Sequence, residues 1–272
     1  MDTKRFFELL LREIEVNTSL QDYYRFLNDK KSYYFRKAYF LQRLDYIRDN
    51  IKAGDSSVWD CGCGYGTTGI FLALNDYNVY GNTIEYYYDH IPARFDYWSK
   101  YGDISSFRVS YKNLFDPPFY KDQFDYVITQ DVLHHLEPND RGLQILKDSL
   151  KDRGTLIVCE ENGNNIINRL KLFLRRGNKR IIDIYDEKLN RNIKLGNENI
   201  QNMVSWKNKF REAGLVIDDK NVEYIRLFPP FFFNEGNYKR VIEKENRIWK
   251  KNSTAREFLF FGINFTASKA SG

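Results

Sequence analysis

The chain has 272 residues, 42 % of them hydrophobic and 17 % aromatic, and a formal charge of +5 from 42 Lys and Arg against 37 Asp and Glu. That length buries a full core, as one large α/β domain or one domain with an elaboration, and no apolar run reaches the roughly 18 residues of a membrane span. The charge is too mild to imply a nucleic-acid partner without a local patch, and three cysteines exclude a disulfide scaffold and fit a reducing cytoplasm.

The N-terminal stretch MDTKRFFELLLREIE follows its short apolar run with charge, the pattern of an amphipathic helix rather than a signal peptide. Residues 1–53 are expected to form a helical cap, in pieces over 4–15, 20–28 and 31–51, because Gly and Pro are absent until Gly54. From 54 to 272 short apolar strands alternate with helices. Strands are expected at 57–60, 78–81, 107–110, 124–129 and 154–160. Helices are expected at 67–75, at 86–100 with a break or delay at Pro92, and at 138–150. This alternation predicts a mostly parallel sheet covered on both faces. Residues 162–203 interrupt it as a helical insertion. A helix at 204–214, a strand with a turn at 215–227 and a last strand within 258–269, expected to run antiparallel, complete the chain.

The stretch DCGCGYG at 60–66 admits three readings. A structural zinc site needs four ligands, and Cys61 and Cys63 form one pair without a second, so no metal is expected. A C-x-x-C redox pair is absent. Gly64, Gly66 and Gly69 fit a dinucleotide loop, but Asp60 at the strand tip would repel a pyrophosphate. The same carboxylate suits a ligand that carries an ammonium and a sulfonium.

VWDCGCGYGTTGIFLA (58–73) resembles the first motif of the class I S-adenosylmethionine-dependent methyltransferases. The resemblance is firm over roughly 55–160 and looser over 204–269. NVYGNTIE (78–85) is similar to the family's second-strand motif, YKNLFDPPF (111–119) to its adenine-binding segment, FDYVITQDVLHHLEP (124–138) to its fourth strand and following loop, and FGINFTASK (261–269) to its terminal strand. The resemblance implies a three-layer Rossmann-like, seven-stranded, mostly parallel sheet with an antiparallel last strand, carrying N-terminal helices and an inserted helical lid. It implies S-adenosylmethionine as cofactor. Asp60, Gly62, Cys63 and Gly64 would surround its methionyl part, Thr83 or Glu85 would hold the ribose, and Asn113 and Leu114 would meet the adenine, with Asp116 as a rival. Gln130 would line the cleft, and one ring of Tyr86, Tyr87 and Tyr88 could cover the adenine.

Methyl transfer from a sulfonium is an in-line displacement that rests on orientation, with a base needed only where the acceptor loses a proton. His135, His134 and Asp131 follow the fourth strand, at the sheet edge where open α/β folds place ligands, and are the base candidates. Tyr23, Tyr34 and Tyr39 are candidates for an acceptor pocket under the leading helices. In the insertion, 164–182 places Arg169, Lys171, Arg175, Arg176, Lys179 and Arg180 among Ile, Leu and Phe with no acid, the composition of a helix lying on an anionic membrane. The expected acceptor is therefore small and aromatic, isoprenoid or lipid-like, with a cytoplasmic enzyme that touches the membrane peripherally. RNA or protein methylation and a non-catalytic cofactor-binding scaffold are the alternatives. Nucleic acid is disfavoured because the D-P-P-F at 116–119 precedes the fourth strand instead of following it. Nothing in the sequence fixes an oligomeric state.

Overall fold

A computed structural model of the chain describes residues 1–270 apart from Ala53, Asp55 and Glu85. Helices α1 (Thr3–Val16), α2 (Thr18–Tyr24) and α3 (Tyr33–Asp49) lead into the alternating part. It runs β1 (Ser57–Cys61), α4 (Thr67–Ala73), β2 (Asn78–Thr83), α5 (Ile91–Trp98), β3 (Phe107–Tyr111), β4 (Phe124–Gln130), α6 (Asn139–Ser149) and β5 (Leu150–Glu161). Pro92 acts as a delay: residues 86–90 form a 3-10 turn, and α5 begins at Ile91 with the proline in its first turn, where the missing N–H is harmless.

The 162–203 segment holds a helix, α7 (Ile166–Arg176), followed by a β-hairpin, β6 (Ile181–Asp186) and β7 (Arg191–Gly196). It is followed by α8 (Met203–Glu212), the short strands β8 (Leu215–Ile217) and β9 (Glu223–Ile225), helices α9 (Tyr238–Lys251) and α10 (Ser253–Phe258), and β10 (Gly262–Lys269). No element is expected from the sequence between 227 and 258, yet α9 and α10 lie there. α9 is charged on most of its surface, and among its residues only Glu245 is buried.

The sheet order is β3-β2-β1-β4-β5-β10-β8, with β9 also pairing β10. The first five strands are parallel, and β10 runs antiparallel to β5. β8 and β9 share the outermost position, because a turn at 219–221 divides what the sequence presents as one strand. Successive strand residues serve opposite faces, as the pleat requires. Val58, Ile128 and Ile157 join the core containing α1, α3 and α4, whereas Trp59, Val127 and Val158 join the core under α6 and α8.

The N-terminal helices are built into the first of these cores: Phe6, Phe7, Leu10 and Ile14 are fully buried in it. A buried ion pair completes the join. Arg94 of α5 and Glu13 of α1 are 0 % and 2 % exposed. The guanidinium grips the carboxylate through two bonds of 2.8 and 2.7 Å, and its remaining nitrogen donates to the Tyr65 carbonyl and the Thr67 hydroxyl of the glycine loop. Trp98 Nε1 donates to the same carboxylate at 2.8 Å. Removing one partner strands the other's charge in a dry core. Glu13→Ala is expected to lower unfolding free energy by about 3–5 kcal/mol in urea titrations, far more than Glu8→Ala on the exposed face of α1.

Candidate functional site

The C-terminal ends of β1, β2 and β4 open into one cleft of about 710 Å³. Its floor is the turn after β1. Gly62, Gly64 and Gly66 all adopt positive φ, which side-chain-bearing residues resist. At Gly62 a Cβ would also fall 2.5 Å from Val132, so the turn could not approach the loop after β4 with any larger residue. Cys61 and Cys63 are free thiols with pKa raised by burial, packed at this turn.

Asp60 is 2 % exposed and lines the cleft. Burial pushes its carboxyl up to about 7, opposed by a hydrogen bond from the Gly69 backbone N–H. Its Oδ2 has no partner. An orphaned, buried carboxylate oxygen beside a glycine cradle fits a cationic ligand group and is hostile to a pyrophosphate. The residues present therefore fit the ammonium end of S-adenosylmethionine.

Thr83, at the tip of β2, is buried on the cleft wall, whereas Glu85 lies outside the described residues. Asn113 and Leu114 line the cleft after β3, and the Asn113 side-chain oxygen accepts from Phe115 N–H at 2.9 Å. Asp116 instead pairs with Arg191 of the hairpin. A residue that the sequence did not single out, Asn82, ties this wall together: it accepts from Trp59 Nε1 at 2.7 Å and donates to the Lys112 carbonyl at 2.9 Å. Gln130 lines the cleft and donates to the Thr68 hydroxyl at 2.6 Å. Of the three consecutive tyrosines, Tyr87 lines the cleft, against Tyr65 and Tyr23.

The loop after β4 separates the three base candidates. Asp131 is held by a bidentate guanidinium from Arg43 of α3. Burial would raise its pKa, but the Arg43 charge outweighs that and keeps the carboxyl below its usual range, which makes it a weak proton acceptor. His134 is 3 % exposed and is not among the cleft-lining residues. Its Nδ1 lies 2.5 Å from Glu160, whose other oxygen accepts the N–H groups of Val132 and Leu133 at 3.0 and 2.7 Å. Burial alone would lower the His134 pKa, and the Glu160 carboxylate instead pushes it up to about 9. His135 lines the cleft. Its Nδ1 lies 2.8 Å from the Gly196 carbonyl, which can only accept, so Nδ1 carries the proton and Nε2 keeps its lone pair.

The hairpin closes the cleft at this point. Gly196 N–H donates to the His135 carbonyl and Asn199 N–H to the His134 carbonyl. A Cβ at Gly196 would stand 2.0 Å from the His134 oxygen, so only glycine lets β7 dock. Opposite it, Tyr23, Phe26, Phe35, Arg36, Tyr39 and Phe40 of the N-terminal part form an aromatic wall. Tyr34 is not on that wall and stacks on Tyr238 at 6.0 Å. Arg226 lies 4.6 Å over the Tyr39 ring, and Tyr39 Oη, Arg36 Nε and Arg226 Nε are buried without partners.

A family model described as a methyltransferase domain matches residues 59–158. Among curated proteins none matches significantly. Solved structures share the fold at low identity. One, described as a candidate sarcosine dimethylglycine methyltransferase from Galdieria sulphuraria, aligns with TM-score 0.58 and 13 % identity over 86 % of this chain and 88 % of that one. The [4+2]-cyclase SpnF aligns with TM-score 0.56 and 19 % identity over 85 % and 81 %. An S-adenosylmethionine-dependent methyltransferase from Methanosarcina mazei gives 0.53 and 15 % over 83 % and 97 %.

Proposed function

We propose that the chain, whose residues 59–158 match a methyltransferase domain, is a class I S-adenosylmethionine-dependent methyltransferase, and that its methyl acceptor is a small aromatic, isoprenoid or lipid-like molecule. The observation that carries this reading is the continuation of the cleft past the Asp60 and Thr83 end into the wall of Phe26, Phe35, Tyr39 and Phe40. The whole cavity falls in the roughly 300–1,000 Å³ range of small-molecule sites, a scale that suits a cofactor with a modest acceptor.

In this reading Asp60 binds the cofactor's ammonium, Gly62, Cys63 and Gly64 approach its methionyl part, Thr83 meets the ribose, and Asn113 and Leu114 meet the adenine. Gln130 forms the wall between Asp60 and the loop after β4. Bound there, S-adenosylmethionine supplies an electrophilic methyl group on a sulfonium. Tyr23 and Tyr39 hold the acceptor, and Arg226 is the cation that would meet an acidic group on it. His135 Nε2 is the lone pair that can take a hydroxyl or amine proton from the acceptor. His134 and Asp131 act through position: Glu160 fixes the first and Arg43 the second, and together they set the loop that presents His135.

The insertion supplies a membrane contact in the same reading. On α7, Ile166, Ile167, Leu170, Phe173 and Leu174 are 57–77 % exposed, while Asn168 and Leu172 turn inward. At 100° per residue these apolar side chains form one outward face, with Arg169 and Lys171 on its two flanks. Apolar residues between flanking cations suit a bilayer of anionic lipid, where lysine and arginine stems snorkel, better than an RNA backbone. Among the described residues no helix is long and apolar enough to cross a membrane, so the contact is one of lying on the surface.

Two expectations follow from these charges. The Asp60 carboxyl is mostly protonated below about pH 7, and pairing with an ammonium requires the ionised form. Cofactor affinity measured by calorimetry should therefore weaken about tenfold per pH unit from pH 7 down to 5. Asp60→Asn should bind more weakly and lose that slope, and a slope retained in the variant would remove Asp60 from the role. The second concerns vesicles: the protein should cosediment with phosphatidylglycerol vesicles at low salt and be released at high salt. Leu170→Glu with Leu174→Glu should abolish sedimentation while cofactor affinity is unchanged.

A further inference from the structure

His134 and Glu160 bring a second kind of chemistry to the buried layer behind the cleft. Among the described residues, His134, His135 and Glu198 form the one set of three metal-ligand side chains whose donor atoms all lie within 4.8 Å of one another. Each histidine has its Nδ1 committed, His134 to Glu160 at 2.5 Å and His135 to the Gly196 carbonyl at 2.8 Å. The Gly196 carbonyl has no proton to give, so His135 carries hydrogen on Nδ1 and leaves Nε2 as a donor atom; His134 is tied to Glu160 through Nδ1, so a metal would take its Nε2 in place of a proton. His134 Nε2 stands 3.7 Å from Glu198 Oε2. A carboxylate or a backbone carbonyl behind each imidazole is the arrangement that orients metal-binding histidines and raises their basicity.

We propose that His134 Nε2, His135 Nε2 and the Glu198 carboxylate bind a divalent first-row transition metal at the edge of the cleft. Two imidazoles and one carboxylate select zinc, iron, cobalt or manganese over calcium or magnesium, and three protein ligands leave coordination positions open. His135 and Glu198 both line the cleft, so those positions face the acceptor side. The carboxylates of Glu160 and Glu198 flank His134 and favour a cation there. Glu198 is 29 % exposed and lies beyond β7, so its side chain is free to turn and bring its oxygen to the roughly 2.0–2.2 Å of a metal bond. The assignment goes beyond the methyl-transfer reading and does not depend on it: the His135 lone pair takes a metal as partner in place of an acceptor proton.

Cobalt(II) alone is the probe. Chelator-treated full-length protein titrated with cobalt should develop visible absorption that saturates at one equivalent, with a micromolar or tighter dissociation constant. Glu198→Ala, a partly exposed change, should weaken binding at least tenfold. Glu160→Gln should weaken it by about 10–100-fold through His134. Absence of a cobalt-dependent band at millimolar metal, or equal binding by Glu198→Ala, overturns the site and leaves His134 as a proton-bearing link between two carboxylates. Should Glu160→Gln fail to fold by circular dichroism, the Glu198 variant still decides. Calorimetry with S-adenosylmethionine on the same metal-free protein reads the cofactor assignment separately.

Discussion

The Arg94–Glu13 pair is the constraint on which the site depends. One guanidinium ties the first helix of the chain to α5 and to two residues of the glycine turn, Tyr65 and Thr67. Tyr24 Oη reaches the same Thr67 hydroxyl at 2.5 Å, so the aromatic wall of the cleft hangs from the same anchor. A buried charge pair with every bond satisfied is geometrically demanding, because any shift leaves a donor without its acceptor in low dielectric. The leading helices are for this reason part of the core of the α/β fold, and the floor and roof of the cleft are held in one register.

A parallel device holds the opposite wall. The Glu160 carboxylate at the end of β5 collects two backbone N–H groups and an imidazole from the loop after β4. The hairpin then docks on that loop through Gly196, whose missing side chain admits the His134 carbonyl. The two histidines consequently differ in kind despite being adjacent: one is buried against Glu160, and the other presents a lone pair to the cleft. Adjacent residues in a turn point in different directions, and here that difference separates a buried imidazole from one that faces the cleft.

Unpartnered buried polar atoms occur in the cleft, as they do at Thr129, Trp206 and Asn264 elsewhere in the interior. Buried polar atoms are normally satisfied, and Glu13, Arg94 and Glu160 obey that rule. Asp60 Oδ2, Tyr39 Oη and Arg226 Nε do not, and all three residues line the cleft. An acid at one end of the cleft and a cation with a hydroxyl at the other give its two ends different chemical character.

The parallel sheet, its strand sequence and the glycine turn after β1 were legible in the sequence because each is written locally. Period-two strands between capped helices and three glycines after Asp60 need no distant partner to be recognised. Tertiary structure decided what sequence spacing cannot encode. The Arg43–Asp131 pair joins residues 88 apart and Glu160–His134 joins residues 26 apart. Those pairings sort three equivalent-looking base candidates into one open and two restrained. The hairpin within the insertion lacks a clear buried stripe and takes its form by docking on the loop after β4, whereas α9 is amphipathic and sets its Ile248 and Trp249 against the second core. Local periodicity and backbone sterics determine the scaffold, whereas the protonation and partners of its functional side chains are set by long-range burial, which only the folded chain defines.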